Sequence, residues 1–347
     1  MHPCLRIANT MLERLTVVSE GRMKSSDERP SGESVQPMVS VVMLVDTSRE
    51  NAQVVLDALD GQTCDSGLME IVVLDMGGAG VEALRMPERY RVKLLRRPGK
   101  QYWRVARAAA AREAEGGIVA FLEDHCSPEP EWAEELVAAY GDGRWAAVGY
   151  VFTNGSRDSW WTRACLATDY GVFMHPREEG PAPFLSGNNV SYARWFLEEL
   201  GEAFEKEVVV DYNIQQRLLA SGHGMKVASG VVAAHRCYGS LLTLCAANYE
   251  YVRILGAARA GVAGWGLGMR LLRALAVLVL VPPLRVWRLG REMGKRPGGW
   301  RRFWSAVPVV YPVYVAAAAG EASGYVWGVG DAEERFAHWE LNTARIA

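Results

Sequence analysis

The stretch Ile118-Val-Ala-Phe-Leu-Glu-Asp-His125 decides the fold, because an apolar run of strand length ends there in three polar groups. Such a run is typical of a strand that is buried on both faces of a parallel sheet. Ligands of open α/β sheets bind beyond the carboxyl ends of the strands, where Glu123, Asp124 and His125 stand. The stretch therefore predicts both a buried sheet and a polar site at its edge.

Three further apolar runs precede this strand and alternate with helical patterns. The strands are predicted over 39–45, 71–74 and 92–95, and the helices over 50–59 and 103–115. Strands that alternate with helices pair in parallel through crossover connections. The sequence therefore predicts an α/β fold with a mostly parallel, Rossmann-like sheet. Asp75 follows the second strand, at the same edge of the sheet as the three polar groups.

The pattern after residue 126 is less regular but adds three features. The turn Ser186-Gly-Asn-Asn189 leads into a short strand, a helix over 211–220 begins at Asp211, and a strand over 227–234 ends at His235. Carboxylates favour a hard divalent cation, and a histidine beside them shifts the preference towards Mn²⁺. An aspartate at a cleft is a candidate general base.

Each of these polar residues also has a structural interpretation. Glu123-Asp124-His125 is equally consistent with surface acids and a cap before the helix that Pro128-Glu-Pro130 opens. Asp75 is also a typical turn residue, and Asp211 a typical helix N-cap. His235 alone is more often structural than a ligand. These alternatives stay open at the level of single residues.

Taken in order, the motifs resemble those of the family 2 glycosyltransferases with the GT-A fold. Val39-Ser-Val-Val42 is similar to the opening strand, Glu70–Asp75 to the nucleotide-binding second strand, and Phe121–His125 to the metal motif. Ala106-Arg107 resembles the family's Ala-Arg helix, Ser186–Arg194 its acceptor-side turn, and Asp211–Leu218 with Gly222 the segment that carries its catalytic base. The resemblance covers residues 38–240.

The resemblance implies an inverting, metal-dependent hexosyltransferase that moves one sugar from a nucleoside-diphosphate sugar. It implies Asp211 as the catalytic base and a divalent cation, Mn²⁺ or Mg²⁺, as the cofactor. The remaining site residues that it implies are Asp46, Asp75 and Arg107 for the nucleotide, Gly187, Asn188, Asn189 and Arg217 on the acceptor side, and Glu123, Asp124, His125 and His235 for the metal.

Two departures from the family pattern concern the donor site. The usual Pro-Thr-Tyr-Asn after the first strand is replaced by Leu44-Val-Asp-Thr47, which leaves the nucleotide base open. The two Asp positions of the metal motif carry Glu123 and His125. These changes support one alternative, a non-catalytic scaffold that has kept the GT-A fold. A dinucleotide-dependent dehydrogenase is excluded, because Gly77-Gly78-Ala-Gly80 lacks the GxGxxG spacing.

The charge is distributed unevenly along the chain. The 347 residues carry a net charge of −2, and their 50% hydrophobic and 22% charged content excludes a disordered or collagen-like chain. Residues 251–305 contain eleven Arg or Lys and one acid, Glu292, so this stretch carries +10 and the remainder −12. The basic stretch is interleaved with apolar runs, which favours a membrane surface with anionic lipids over nucleic acid.

Two apolar runs in the C-terminal region, 274–284 and 303–320, are short or borderline for a membrane span of about 20 residues. If both spanned, the basic loop between them would lie outside, against the positive-inside tendency. We therefore expect a peripheral, monotopic or re-entrant association at the cytoplasmic face. The alternative is a buried helical subdomain. Six of the 12 tryptophans follow residue 250, as interfacial aromatics would.

The predicted organisation has three parts. Residues 1–37 form a disordered lead-in without a signal-peptide core, residues 38–240 the glycosyltransferase domain, and residues 241–347 a basic, Trp-rich helical region associated with the membrane. The six cysteines are sparse and without metal-finger spacing, as in a reducing cytosol. The tail and family habit imply a lipid-linked or envelope glycan acceptor.

Overall fold

The computed structural model describes residues 39–78, 83–97, 103–207, 211–343 and 345–346. The predicted lead-in over 1–37 lies outside the described residues. Strands and helices alternate at first, and each predicted strand and helix is present with bounds within three residues. These are β1 (Val39–Val45), α1 (Arg49–Asp60), β2 (Met69–Asp75), β3 (Arg91–Arg96), α2 (Trp103–Glu113) and β4 (Ile118–Phe121).

The middle of the chain completes the sheet, and the C-terminal region is helical. The middle elements are β5 (Cys126–Pro128), α3 (Trp132–Tyr140), β6 (Trp145–Asn154), α4 (Trp160–Tyr170), β7 (Gly180–Pro181), β8 (Val190–Ala193), α5 (Arg194–Leu200), α6 (Glu202–Glu207), α7 (Asp211–Ala220) and β9 (Gly224–His235). The helices that follow are α8 (Leu241–Val262), α9 (Leu267–Gly294), α10 (Gly299–Trp327) and α11 (Ala332–Asn342).

The sheet has the order β3-β2-β1-β4-β8-β6-β9-β5, with β7 on β9. Strands β3, β2, β1 and β4 are parallel, and every residue of β1 is buried, as expected for a strand covered on both faces. Strand β8 is antiparallel to β4, so the sheet is mixed beyond that point. Because Val45 pairs with Asp75, the ends of β1 and β2 lie side by side.

A second pairing brings distant histidines together. Strand β5 is antiparallel to β9 with Cys126 opposite His235. The backbone N–H of Arg236 donates to the carbonyl oxygen of His125 at 3.0 Å. This register places His125, which precedes β5, next to His235, which ends β9.

Helices α8, α9 and α10 form a layer that packs tightly through glycines. A Cβ on Gly320 of α10 would lie 2.1 Å from the carbonyl oxygen of Tyr249 on α8, and one on Gly324 would lie 2.2 Å from that of Arg253. Only glycine permits this approach. Helices α9 and α10 are long and apolar enough to cross a membrane, by length and composition alone.

Candidate functional site

Four polar residues meet at the carboxyl edge of the sheet. Glu123 and Asp124 follow β4, His125 precedes β5, and His235 ends β9. All four are buried. The interpretation of Glu123-Asp124-His125 as surface acids is therefore wrong, because the β5–β9 pairing holds these side chains inside the protein.

Glu123, His125 and His235 form a compact cluster whose potential ligand atoms all lie within 4.8 Å of one another. The Nε2 atoms of His125 and His235 lie 3.5 and 3.7 Å from Glu123 Oε2. The two imidazole rings meet edge to face, with their centroids 5.0 Å apart. One carboxylate and two imidazoles are a donor set for a divalent transition metal.

Burial sets the charge state of this cluster. It lowers the pKa of His125 and of His235 well below the usual range, and the positive charge of Arg345 acts in the same direction. Neutral imidazoles keep a lone pair for a metal. Burial, reinforced by the nearby Glu340 carboxylate, raises the pKa of Glu123 to about 7. Burial also raises the pKa of Asp124 well above its usual range.

The hydrogen bonds of the cluster fit a bound cation. His125 Nδ1 lies 2.8 Å from Asp124 Oδ1, which orients the ring so that Nε2 is on the Glu123 side. Among the described residues, His125 Nε2 has no hydrogen-bond partner although it is buried. A buried nitrogen without a partner, held by a carboxylate at its other nitrogen, is the arrangement of a metal ligand. The structure thus places Asp124 behind His125.

The Gly-Asn-Asn turn holds the Glu123 carboxylate in place. Asn188 Nδ2 donates to Oε1 at 2.9 Å, and Asn189 Nδ2 donates to Oε2 at 2.5 Å. The Tyr170 hydroxyl donates to the same Oε2 at 3.1 Å. The backbone N–H of Glu123 in turn donates to Asn189 Oδ1. Asn188 and Asn189, predicted on the acceptor side, therefore support the candidate metal carboxylate.

Asp211 lies at the start of α7 and is buried against Arg107 of α2. The guanidinium donates to both carboxylate oxygens, at 2.9 and 3.3 Å. Oδ1 also accepts from the Tyr192 hydroxyl at 2.9 Å, and Oδ2 from the backbone N–H of Asn188 at 2.9 Å. Removing one partner of such a buried pair costs about 3–5 kcal/mol, so the pair fixes α2 against α7.

Asn188 connects the two parts of the site. Its side chain contacts Glu123 and its backbone contacts Asp211. The residue has φ 65°, a left-handed conformation that asparagine adopts more readily than most residues. A single strained turn therefore sets the distance between the candidate metal cluster and the candidate base.

The predicted nucleotide residues lie at the ends of β1 and β2. Asp75 Oδ1 accepts from Arg49 Nη2 at 2.8 Å and from the backbone N–H of Gly77 at 2.9 Å. Asp46 Oδ2 accepts from Asn342 Nδ2 at 3.1 Å. Both carboxylates are at the rim of the sheet edge, whereas Arg107 lies inside with Asp211.

Residues that sequence reasoning missed cover the site from α11 and the segment after it. Glu340 Oε2 lies 3.6 Å from His125 Nε2 and accepts from Arg345 at 2.8 Å, while its Oε1 accepts from the Tyr238 hydroxyl at 2.6 Å. Arg345 is buried, and its guanidinium stacks 3.5 Å from the Tyr238 ring. In the sequence, Glu340 and Arg345 are two charged residues that belong to none of the motifs described above.

The last two predicted residues have different surroundings. A Cβ on Gly187 would lie 2.6 Å from the Tyr251 hydroxyl oxygen of α8 and 3.6 Å from Asp211 Oδ2, so a larger residue beside the candidate base would displace the Tyr251 side chain. Arg217 is exposed on α7, six residues beyond Asp211. The structure brings Gly187 to the site and leaves Arg217 on the outer face of the helix.

The surface of α9 is apolar where a globular protein is normally polar. Leucine and tryptophan side chains along it are between 39 and 64% exposed: Leu267, Leu271, Leu272, Leu275, Leu278, Leu280, Leu284 and Trp287. Only 17% of its most apolar stretch is buried, against 44% for α10. The alternative of a buried helical subdomain therefore does not hold for α9. Large exposed apolar patches mark interaction surfaces.

Comparisons with known proteins show similarity to glycosyltransferases. Residues 40–201 match the family model described as glycosyl transferase family 2. The chain is 27% identical over 187 residues to the glycosyltransferase AglE of Haloferax volcanii, which covers 46% of this chain and 62% of that relative. The matched part thus spans less than two thirds of the relative.

One solved structure has a similar fold over nearly the whole chain. It is the mannosyltransferase PcManGT of Pyrobaculum calidifontis in complex with GDP-Man and Mn²⁺, with a TM-score of 0.50 and 16% identity, covering 91% of this chain and 93% of that one. At this identity the likeness concerns the fold. Residues 40–201, just under half of the chain, are therefore similar to glycosyl transferase family 2, and the chain has the GT-A fold.

Proposed function

We propose that this protein is an inverting hexosyltransferase that moves one sugar from a nucleoside-diphosphate sugar to a hydroxyl of a lipid-linked or envelope glycan. A divalent cation, Mn²⁺ or Mg²⁺, is the proposed cofactor, and the cytoplasmic face of the membrane the proposed location. The observation that carries the proposal is the buried Glu123, His125 and His235 cluster, which one turn joins to the carboxylate of Asp211.

The cluster is suited to hold the cofactor. Glu123, His125 and His235 are the proposed ligands, and Asp124 orients His125 through its Nδ1 atom. A bound divalent cation stabilises the negative charge that develops on a departing nucleoside diphosphate. The support from relatives is that PcManGT is in complex with GDP-Man and Mn²⁺.

Asp211 is the proposed general base. The acceptor oxygen forms its bond to the sugar C1 as the bond from C1 to the diphosphate breaks, and its proton passes to the Asp211 carboxylate. In the structure this carboxylate accepts four hydrogen bonds from Arg107, Tyr192 and Asn188. One of these must lengthen before a hydroxyl can approach, and Arg107 is the proposed group because it is also a nucleotide-contact candidate.

The rim of the sheet edge is the proposed nucleotide site. Asp46 and Asp75 present carboxylates there for hydrogen bonds to base or ribose, at the ends of paired strands. Gly187, Asn188 and Asn189 line the acceptor side next to Asp211. Arg217, on the outer face of α7, contributes to the binding of an acceptor that extends along this helix.

The helical layer is the proposed membrane contact. The exposed leucines of α9 offer an apolar face, and the basic stretch 285–302 at its end offers charges to anionic headgroups, each worth roughly 1 kcal/mol. A monotopic or re-entrant placement fits, because the apolar centre 274–284 is flanked by Arg273 and Arg285. A lipid-linked acceptor would then be delivered at the surface that holds the enzyme.

The direct test measures the release of nucleoside diphosphate from a panel of nucleotide sugars, with Mn²⁺, with Mg²⁺ and with EDTA. The proposal predicts release from at least one donor that stops with EDTA and returns with metal. The alternative, a non-catalytic scaffold, predicts neither release nor metal-dependent binding of GDP or UDP. Binding without release from any donor would leave the fold and metal site standing and would overturn the catalytic proposal.

A further inference from the structure

Helix α11 covers the rim where the proposed donor site lies. The Asn342 side chain donates from Nδ2 to Asp46 Oδ2 at 3.1 Å, and its Oδ1 accepts from the backbone N–H of Thr47 at 3.1 Å and from the Thr47 hydroxyl. The carbonyl oxygen of Leu341 accepts from the backbone N–H of Ser48 at 3.3 Å. These contacts join the end of α11 to residues that directly follow β1.

The same segment closes the deeper part of the site. Glu340 and Leu341 line a cavity together with Leu44, Glu123 and His125. The cavity has a volume of about 20 Å³. That is room for about one water molecule, so the diphosphate and sugar of a donor do not fit while α11 is docked.

The Asn342 carboxamide offers the groups that a nucleotide base offers. A base edge places a hydrogen-bond donor beside an acceptor, and so does a carboxamide. The Asp46 carboxylate accepts from the carboxamide NH₂ group, and the Thr47 N–H and hydroxyl donate to the carboxamide oxygen. The polar groups at the end of β1 are thereby satisfied without a ligand.

We propose that the end of α11 is an internal competitor of the donor, with Asn342 in the position of the nucleotide base. This inference rests on the proposed function and adds regulation to the same site. Donor binding displaces Asn342 from Asp46 and Thr47 and withdraws Glu340 and Leu341 from the cluster. The apparent affinity for a nucleoside diphosphate is then reduced by the fraction of molecules in which α11 is docked.

The test compares the full chain with the variants Asn342→Ala and Thr343→Ala. The first removes the carboxamide, and the second is a matched control because the Thr343 side chain makes no described hydrogen bond to the rim. GDP and UDP, each with Mn²⁺, are the probes in calorimetric titrations. We expect Asn342→Ala to bind one of them about tenfold more tightly, since hydrogen bonds of the docked state are lost, and Thr343→Ala to bind like the unaltered chain.

Amide hydrogen exchange gives an independent readout. Bound nucleoside diphosphate is expected to increase exchange over residues 332–342, because α11 leaves the rim. Equal or weaker binding by Asn342→Ala, or protection of α11 by the nucleotide, would overturn the inference. The proposal that the protein binds a nucleoside-diphosphate sugar would be unaffected. If neither probe bound the unaltered chain or Asn342→Ala, the proposed function would fail, and this inference with it.

Discussion

The sheet edge buries ionisable side chains, whereas the surface of α9 exposes apolar ones. At the sheet edge, Glu123, Asp124, His125, His235 and Asp211 are buried together although each is ionisable. On α9, leucines along the helix are exposed. Both arrangements are costly for a globular protein, because buried charges lose hydration and exposed apolar groups order water. A costly feature that persists in a fold is expected to be functional.

Each of the two regions needs a further partner to be stable as it stands. The buried cluster holds potential metal ligands in their neutral forms, since burial lowers the pKa of His125 and raises the pKa of Glu123 and Asp124. The α9 surface lacks an apolar neighbour. A divalent cation would complete the first region and a lipid surface the second. Metal binding at the cluster and lipid binding at α9 can be tested separately.

The largest effect is expected at Asp211. The variant Asp211→Asn keeps the size of the side chain but is no longer a base, and we expect transfer or donor hydrolysis to fall by about 10²–10⁴-fold in protein that thermal melting shows to be folded. Product release with the donor found in the nucleotide-sugar panel is the measurement. Asp65→Asn, an exposed acid on the loop before β2, is the matched control and should retain full activity. If Asp211→Asn were as active as the control, the base would be another group.

The next effect concerns the apolar surface. Replacing Leu271, Leu275 and Leu278 by glutamine removes apolar area from the proposed membrane contact, and we expect at least tenfold weaker binding to vesicles that contain anionic lipid. Flotation or co-sedimentation measures this. Replacing Leu242 and Val262, which are exposed outside α9, by glutamine is the control. Equal loss in both sets would show that exposed apolar residues in general, and not the α9 face, drive adsorption.

The smallest effect concerns Asp169 on α4. Burial raises its pKa to about 7, whereas the group ordinarily titrates near 3.8. The folded state therefore binds the proton more tightly than the unfolded state, and stability falls as the pH rises from about 4 to 7. Asp169→Asn removes this dependence. We expect its melting temperature to exceed that of the unaltered chain by a few degrees at pH 7.5 and to approach it near pH 4.

A thermal melt series at several pH values checks this prediction. Asp158→Asn, an exposed acid before α4, should leave the pH dependence unchanged. A constant difference between Asp169→Asn and the unaltered chain at all pH values would contradict the assigned titration. Loss of the pH dependence in Asp169→Asn would show that burial alone raises a carboxylate pKa in this protein, away from the candidate metal cluster.

Much of the α/β part could be predicted because its signals are local. The buried strands appear as uninterrupted apolar runs, Asp75 ends one of them, and Glu123 and His125 lie within four residues of the end of another. Asp211 could be placed at a helix start for the same reason. The meeting of His125 with His235 depends on the β5–β9 register, which the order of motifs implies only through the family resemblance.

The rest could not be predicted because it depends on contacts between distant segments. Arg107 reaches Asp211 across 104 residues, and Asn342 reaches Thr47 across 295. No periodicity or spacing encodes such pairs. The apolar runs 274–284 and 303–320 are also shorter than α9 and α10. The two helices continue through flanking arginines and through prolines, which in a sequence usually indicate the end of a helix.

A titration with Mn²⁺ followed by electron paramagnetic resonance tests most directly whether Glu123, His125 and His235 hold a metal ion. We expect one bound Mn²⁺ per chain, and a loss of affinity of about a hundredfold or more in His125→Ala. His223→Ala, which changes a histidine near Trp195 outside the cluster, should bind like the unaltered chain. Unchanged affinity in His125→Ala, or no bound Mn²⁺ in the unaltered chain with GDP or UDP present, would contradict the account.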